Sequence, residues 1–236
     1  CARMSVWTYA FDDYIEQEVS SLTELDDMLC RCGTIVRTGI PDDSHPLLAV
    51  LSRWQADLMK QPLYPALAAL WAQKFDDDLR GVRYDWVTGR AREKSAGAVS
   101  SVEEYLDHAD SILAWMVHFP RWIYGGDARI LDYLDVLIPA LDEFTYVLRL
   151  ANDLATIFRE KNQKGQNNVL MYGVSPEWVR AELAERMTSG RRHLAPLLAE
   201  DHLSAHGLIR LAEWAVSFYE LADFRASDER TPWRKS

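Results

Sequence analysis

Asn152, Thr156 and Glu160 recur at every fourth position in the segment Arg149-Leu-Ala-Asn152-Asp153-Leu-Ala-Thr156-Ile-Phe-Arg159-Glu160. On a helix a step of four rotates the side chain by only about 40°, so the three stack along one face. An amide oxygen, a hydroxyl and a carboxylate form an all-oxygen donor set. Such a set suits a hard divalent cation such as Mg²⁺, whose other positions go to water or phosphate oxygens. Arg149 and Arg159 flank the stripe with guanidinium groups that match phosphate geometry. The plainer reading of the same spacing is a polar helix face. A second group, Phe11-Asp12-Asp13-Tyr14-Ile15-Glu16, puts Asp12 and Glu16 on one face with Asp13 adjoining. Carboxylates this close repel each other unless a cation lies between them. Trp7, Tyr9 and Phe11 precede them, so the acids border an aromatic surface, as a site holding a charged head group above an apolar cavity requires. The plainer reading here is a solvated helix turn favoured by the macrodipole.

Helices must position these residues. Only 11 Gly and 9 Pro punctuate the chain, and between them apolar residues recur three and four apart. Leu47, Leu48, Leu51, Trp54, Leu58 and then Leu63, Leu67, Leu70, Trp71 read as two helices broken at Pro62. Ser101 with Glu104 forms a capping box that opens a helix to about Phe119, interrupted by Pro120 and Gly125-Gly126. From Ile130 to Lys161 the apolar spacing describes a central buried helix carrying the oxygen stripe, which Pro139 is expected to kink or split. Ser175-Pro176 starts another helix, and a last one runs from about Leu203 to Phe224. Loops are expected at Asp42 to Pro46, Gly89 to Gly97 and Lys161 to Asn168. Alternating strand patterns, repeats and linkers are absent, so the expectation is one all-α domain over residues 1–236.

The 236 residues are 48% hydrophobic, enough for a substantial core. Lys and Arg total 26 against 36 Asp and Glu, a net charge of -10, so the mean field repels nucleic acid and anionic membranes. No nucleic-acid or membrane role is expected, and an anionic substrate would require bound divalent cations to invert the local field. Cys1, Cys30 and Cys32 fit neither a disulfide framework nor a zinc site, and with no signal peptide or apolar span the expected setting is cytoplasmic. The six His are scattered rather than set at zinc spacing, and no phosphate loop or nucleophile elbow occurs. The run Phe75-Asp76-Asp77-Asp78 reads as a solvated helix end with Arg80, Arg83 and Tyr84 as its partners.

Asp12-Asp13-Tyr-Ile-Glu16 resembles the aspartate-rich motif of class I terpene synthases in its Glu-ending variant. Asn152-Asp-Leu-Ala-Thr156-Ile-Phe-Arg-Glu160 resembles their second metal motif at every defined position, and Gly165 to Asn168 with Val169-Leu170 resembles their Gly-x-x-Asn-x-Val stretch. The separation of the two motifs is that of bacterial members, whereas Asp76 stands too near Asn152 to serve as the first motif. The resemblance implies a helical bundle around a central apolar pocket, with three Mg²⁺ ions clamping a prenyl diphosphate. It assigns Asp12, Asp13 and Glu16 to one metal motif, Asn152, Thr156 and Glu160 to the other, and Arg149, Arg159 and Arg230 to the diphosphate. Trp7, Phe11 and Trp115 become candidate walls.

The resemblance has departures. Helices normally precede the aspartate motif, so amino-terminal helices are expected to be missing from the sequence. The helix of Glu104-Tyr105-Leu106-Asp107-His108 lacks the diphosphate-sensing Arg of bacterial relatives. That segment is closer to plant-type diterpene synthases, which places Ser111 and Ile112 near the reacting carbons and favours a C20 substrate, geranylgeranyl diphosphate or a pre-cyclised equivalent. The carboxy-terminal Arg-Tyr pair of bacterial relatives is not evident. The alternatives are a C15 sesquiterpene synthase and a catalytically silent helical interaction domain; a prenyl-chain-elongating enzyme would need a second aspartate-rich motif where Asn152 to Glu160 stands. A homodimer is usual for such a fold.

Overall fold

The computed structural model describes residues 2–94, 101–108, 112–125 and 127–221. The described residues form nine α-helices and two short 3-10 helices, with no strand among them. The helices are α1 (Ala2–Gln17), α2 (Leu22–Thr38), α3 (Pro46–Leu58), α4 (Tyr64–Lys94), α5 (Val102–Asp107), α6 (Ile112–Gly125), α7 (Leu134–Glu160), α8 (Pro176–Ala199) and α9 (Leu203–Leu221). None of them is long and apolar enough to cross a membrane.

Local chemistry sets many of the ends. Ser21, Ser101 and Ser175 accept from the backbone N–H three residues on, capping α2, α5 and α8. Pro46 and Pro176 occupy first turns, where a missing N–H leaves no bond unmade. Gly39 ends α2 at φ 70°, a left-handed conformation, and its N–H returns to the Ile35 carbonyl at 2.8 Å.

Packing then assembles the bundle around α7. Leu137, Leu141, Phe144, Leu148 and Ala151 are buried along this helix, which packs against α8, α9 and α6. Gly190 of α8 lets the Phe144 ring approach; a Cβ there would stand 2.4 Å from the ring. On the other side α1 packs on α3 and α6, and α4 on α2 and α6. Their shared core is aromatic. Trp71 meets Trp54 edge-on with centroids 5.3 Å apart and stacks on Phe119 at 6.0 Å.

Several sequence expectations change here. The helix expected from Ser101 to Phe119 is two helices, with α5 ending at Asp107, and Pro120 lies inside α6 rather than ending it. Pro139 neither splits the central helix nor ends it, because residues 128–133 are 3-10 and α7 begins at Leu134. The proline therefore falls just beyond the first turn, where its missing N–H removes one intrahelical bond. The loop expected from Gly89 is helical through Lys94. Asp76 to Asp78 is no solvated helix end but the middle of α4, with Asp78 only 1% exposed. Asp77 pairs with Arg80, Asp76 with Arg37 at 2.6 Å, and Arg83 turns to Asp26.

Candidate active site

The oxygen stripe occupies the last turns of α7. Thr156 is fully buried, Glu160 nearly so, and Asn152 half-buried. The Thr156 hydroxyl donates to the Asn152 carbonyl at 2.9 Å. Beyond α7 the chain turns through 161–168 and lays Asn168 back across the stripe. The Asn168 Nδ2 donates to the Asp153 carbonyl at 2.9 Å and to Glu160 Oε2 at 2.9 Å, with Thr156 Oγ1 at 3.4 Å.

Below the stripe lies a buried polar network. Tyr105 of α5 donates its O–H to Asp153 Oδ2 at 2.5 Å and accepts from Arg149 Nε at 2.6 Å. The Val169 N–H donates to the same carboxylate oxygen at 3.1 Å. Burial pushes the Asp153 carboxyl up to about 7, against the pull of Arg149. Burial also holds the Tyr105 phenol well above its ordinary value, so it remains a donor.

Arg149, assigned from the sequence to the diphosphate, is engaged elsewhere. Its Nη1 donates to Asp85 of α4 at 2.7 Å, and its Nη2 donates to the Asn167 carbonyl at 2.8 Å. Asn167 Nδ2 reaches Asp85 at 2.8 Å, and Tyr172 donates to Asn167 Oδ1 at 2.8 Å. Arg149 is thus a strut joining α7, α4, α5 and the returning loop. Arg159 stays at the surface end of the stripe, donating to Gln163 at 3.1 Å with Glu160 at 3.5 Å.

The first acidic group lies on the last turns of α1. Met4, Trp7, Phe11 and Ile15 form the buried face, Asp12 and Glu16 are half-buried beside it, and Asp13 is exposed. Trp7 stacks on Phe11 with centroids 4.7 Å apart and donates its indole N–H to the Leu47 carbonyl. A cavity of about 490 Å³ lies between α1 and α3, lined by residues including Met4, Val6, Trp7, Val50 and Trp54; no residue of either motif lines it. Ser111 and Arg230 lie outside the described residues, as do the side chains of Ile112 and Trp115.

One turn of α4 meets the chain just beyond each motif. Arg90 Nη2 donates to the Val19 carbonyl after α1 at 3.0 Å, and Gly89 lies against the Gly165 backbone after α7. Sequence reasoning gave Gly89, Arg90, Asp85 and Asn167 no role beside the two motifs. The Asn167-Asn168 doublet after Gly165 was the available signal, because buried amides demand partners.

No protein-family model matches the chain. It is 49% identical over 214 residues to the ent-pimara-9(11),15-diene synthase of a Streptomyces species (strain KO-3988), spanning 91% of this chain and 72% of that protein. The chain belongs to the class I terpene synthases. A solved structure, the linalool/nerolidol synthase of Streptomyces clavuligerus in complex with 2-fluorogeranyl diphosphate, matches with a TM-score of 0.66 at 18% identity. That match covers 93% of this chain and 78% of that one, so this terpene synthase shares its all-α fold.

The donor chemistry of the terpene synthase fits Mg²⁺. No cluster of three or more His, Cys, Asp or Glu suited to a metal occurs among the described residues, and the stripe instead combines amide, hydroxyl and carboxylate oxygens. Thr156 gives its proton to Asn152, which leaves lone pairs on its oxygen, and Glu160 Oε1 accepts a long contact from Arg159 at 3.5 Å.

Proposed function

We propose that the chain ionises a C20 prenyl diphosphate, linear or pre-cyclised, and cyclises the carbocation to a diterpene hydrocarbon or alcohol. The observation that carries this reading is the Asn152, Thr156 and Glu160 stripe with Asn168 laid across it. The likeness to a pimaradiene synthase supports C20 over C15.

Asn152, Thr156 and Glu160 would hold one Mg²⁺, and Asp12 and Glu16, with Asp13 adjoining, would hold the others, three in all. Bound Mg²⁺ neutralises the diphosphate and weakens its allylic C–O bond. A chain of net charge -10 has few other means of attracting such an anion. Arg159, at the surface end of the stripe, takes a diphosphate oxygen as a forked donor. Trp7, within two turns of Asp12, contributes aromatic surface to the cavity between α1 and α3, with the buried Phe11 stacked behind it, and an aromatic quadrupole favours cations. Departure of the diphosphate needs no protein nucleophile, and a dry apolar cavity keeps water from quenching the cation early. The reading includes a single catalytic domain in a cytoplasmic setting.

The test is incubation with C10, C15, linear C20 and bicyclic C20 diphosphates and Mg²⁺, with gas chromatography and mass detection of the extract. A cyclic C20 product that requires Mg²⁺ and is lost in Asn152→Ala is the expected result. Release of no hydrocarbon or alcohol from any substrate would sink the reading in favour of a silent helical module.

A further inference from the structure

We infer that Asn168 is a positioning residue of the second metal motif: its side-chain amide fixes the Glu160 carboxylate and the Thr156 hydroxyl in the arrangement that meets a divalent cation. The inference rests on the function proposed above and adds to it a residue that touches neither metal nor substrate.

The orientation of the amide is determined. Asn168 is fully buried, and its Oδ1 accepts from the Leu170 N–H at 3.0 Å, so Nδ2 is the atom turned to α7. Its two hydrogens serve two acceptors at 2.9 Å, the Asp153 carbonyl and Glu160 Oε2, and the 3.4 Å approach to Thr156 is a weaker third contact. One amide therefore spans two turns of the helix that carries the motif. The bond to Glu160 is charge-assisted, and it restricts a side chain with three rotatable bonds that would otherwise lose that freedom on binding a cation.

The frame around Asn168 is equally constrained. Its preceding carbonyl, that of Asn167, accepts from Arg149 at 2.8 Å. The following N–H, that of Val169, donates to Asp153 Oδ2 at 3.1 Å. Three residues earlier Gly165 adopts φ 74°, a left-handed conformation open to glycine, where the loop abuts Gly89. Asn168 is thus clamped on both sides before it reaches Glu160, as expected of a partner that orients a ligand.

Wild type, Asn168→Ala and Asn168→Asp would be titrated with Mg²⁺ in the presence of inorganic diphosphate, with calorimetry and the shift in Tm as readouts. Asn168→Asp keeps the size and the Oδ1 acceptor for Leu170 but replaces the donor with a carboxylate facing Glu160. The apparent Kd for Mg²⁺ is expected to rise about 10–100-fold in both variants, the range seen when an outer partner of a metal ligand is lost. Excess Mg²⁺ should recover product formation in Asn168→Ala but not in Glu160→Ala. Wild-type Mg²⁺ affinity in Asn168→Ala overturns the inference. Loss of the helical circular dichroism of both variants overturns it too, by assigning Asn168 to stability alone. If wild type itself takes up no Mg²⁺ with diphosphate, the proposed function falls, which is a different result from wild-type binding that the substitutions leave unchanged.

Discussion

A Cβ on Gly89 would stand 2.0 Å from the carbonyl oxygen of Gly165, closer than any side-chain carbon can lie. Arg90, the next residue, donates to the Val19 carbonyl. The same turn of α4 therefore braces the chain leaving each candidate motif, and its smallest residue is what admits the loop that carries Asn168.

Gly89→Ala forces that loop away, since the obstructing atoms are backbone. The expected cost is about 1–3 kcal/mol, typical of overpacking, with weaker Mg²⁺ binding because Asn168 moves with the loop. Urea unfolding and a Mg²⁺ titration check both effects. An alanine variant as stable as wild type would refute the contact.

Tyr105→Phe removes the hydroxyl between Arg149 and Asp153. The buried Asp153 carboxyl, 1% exposed, loses its shortest hydrogen bond, while Arg149 Nε loses an acceptor. Leaving such groups unsatisfied costs about 1–3 kcal/mol, so the denaturation midpoint should fall. A midpoint equal to that of wild type would mean the network contributes nothing to stability.

Asp42 supplies a pH-dependent test away from the site. Hydrogen bonds from the Ser44 hydroxyl and N–H, then from Arg31, lower its carboxyl to about 2. A group whose folded pKa lies below its unfolded value of about 3.9 contributes stability above that value and loses it as pH falls through the folded pKa. Asp42→Asn should accordingly lower Tm at neutral pH, with the difference shrinking between about pH 4 and pH 2. A Tm gap that stays constant across this window would contradict the assignment.

The two described cysteines should differ in reactivity. Cys30 is exposed, whereas Cys32 is buried and its thiol is pushed up to about 12 by desolvation. Iodoacetamide at pH 8 should label Cys30 in the native protein and Cys32 only after unfolding, as read by peptide mass mapping. Native labelling of Cys32 at a comparable rate would be inconsistent with its placement.

Much of the candidate site could be proposed from sequence because it is local. Asn152, Thr156 and Glu160 follow the helical period on one segment, and Asp12 and Glu16 do the same on another, so neither set needed a fold to be found. The partners of Arg149 were hidden for the opposite reason. A guanidinium beside a metal motif reads as a phosphate donor until Asp85, on another helix, is seen to hold it. The acidic run at Asp76 was misread similarly, because burial of Asp78 depends on what packs around α4. For Pro139 the sequence left a kink or a split open, and the split is what the structure removes: whether a proline breaks a helix depends on how far it stands from the start, and the 3-10 turn before Leu134 moved that start.

The sequence by itself determined the all-helical class, the two oxygen-bearing stripes and the helix caps, because each depends on side-chain type and on a repeat of three or four residues. Only the tertiary structure decided that Arg149 is a strut, that Asn168 crosses back over Glu160, and that Gly89 admits the returning loop. Those relationships join residues distant in sequence through hydrogen bonds and van der Waals limits that act over about 3 Å, and a helical period carries no information about what lies that close in space.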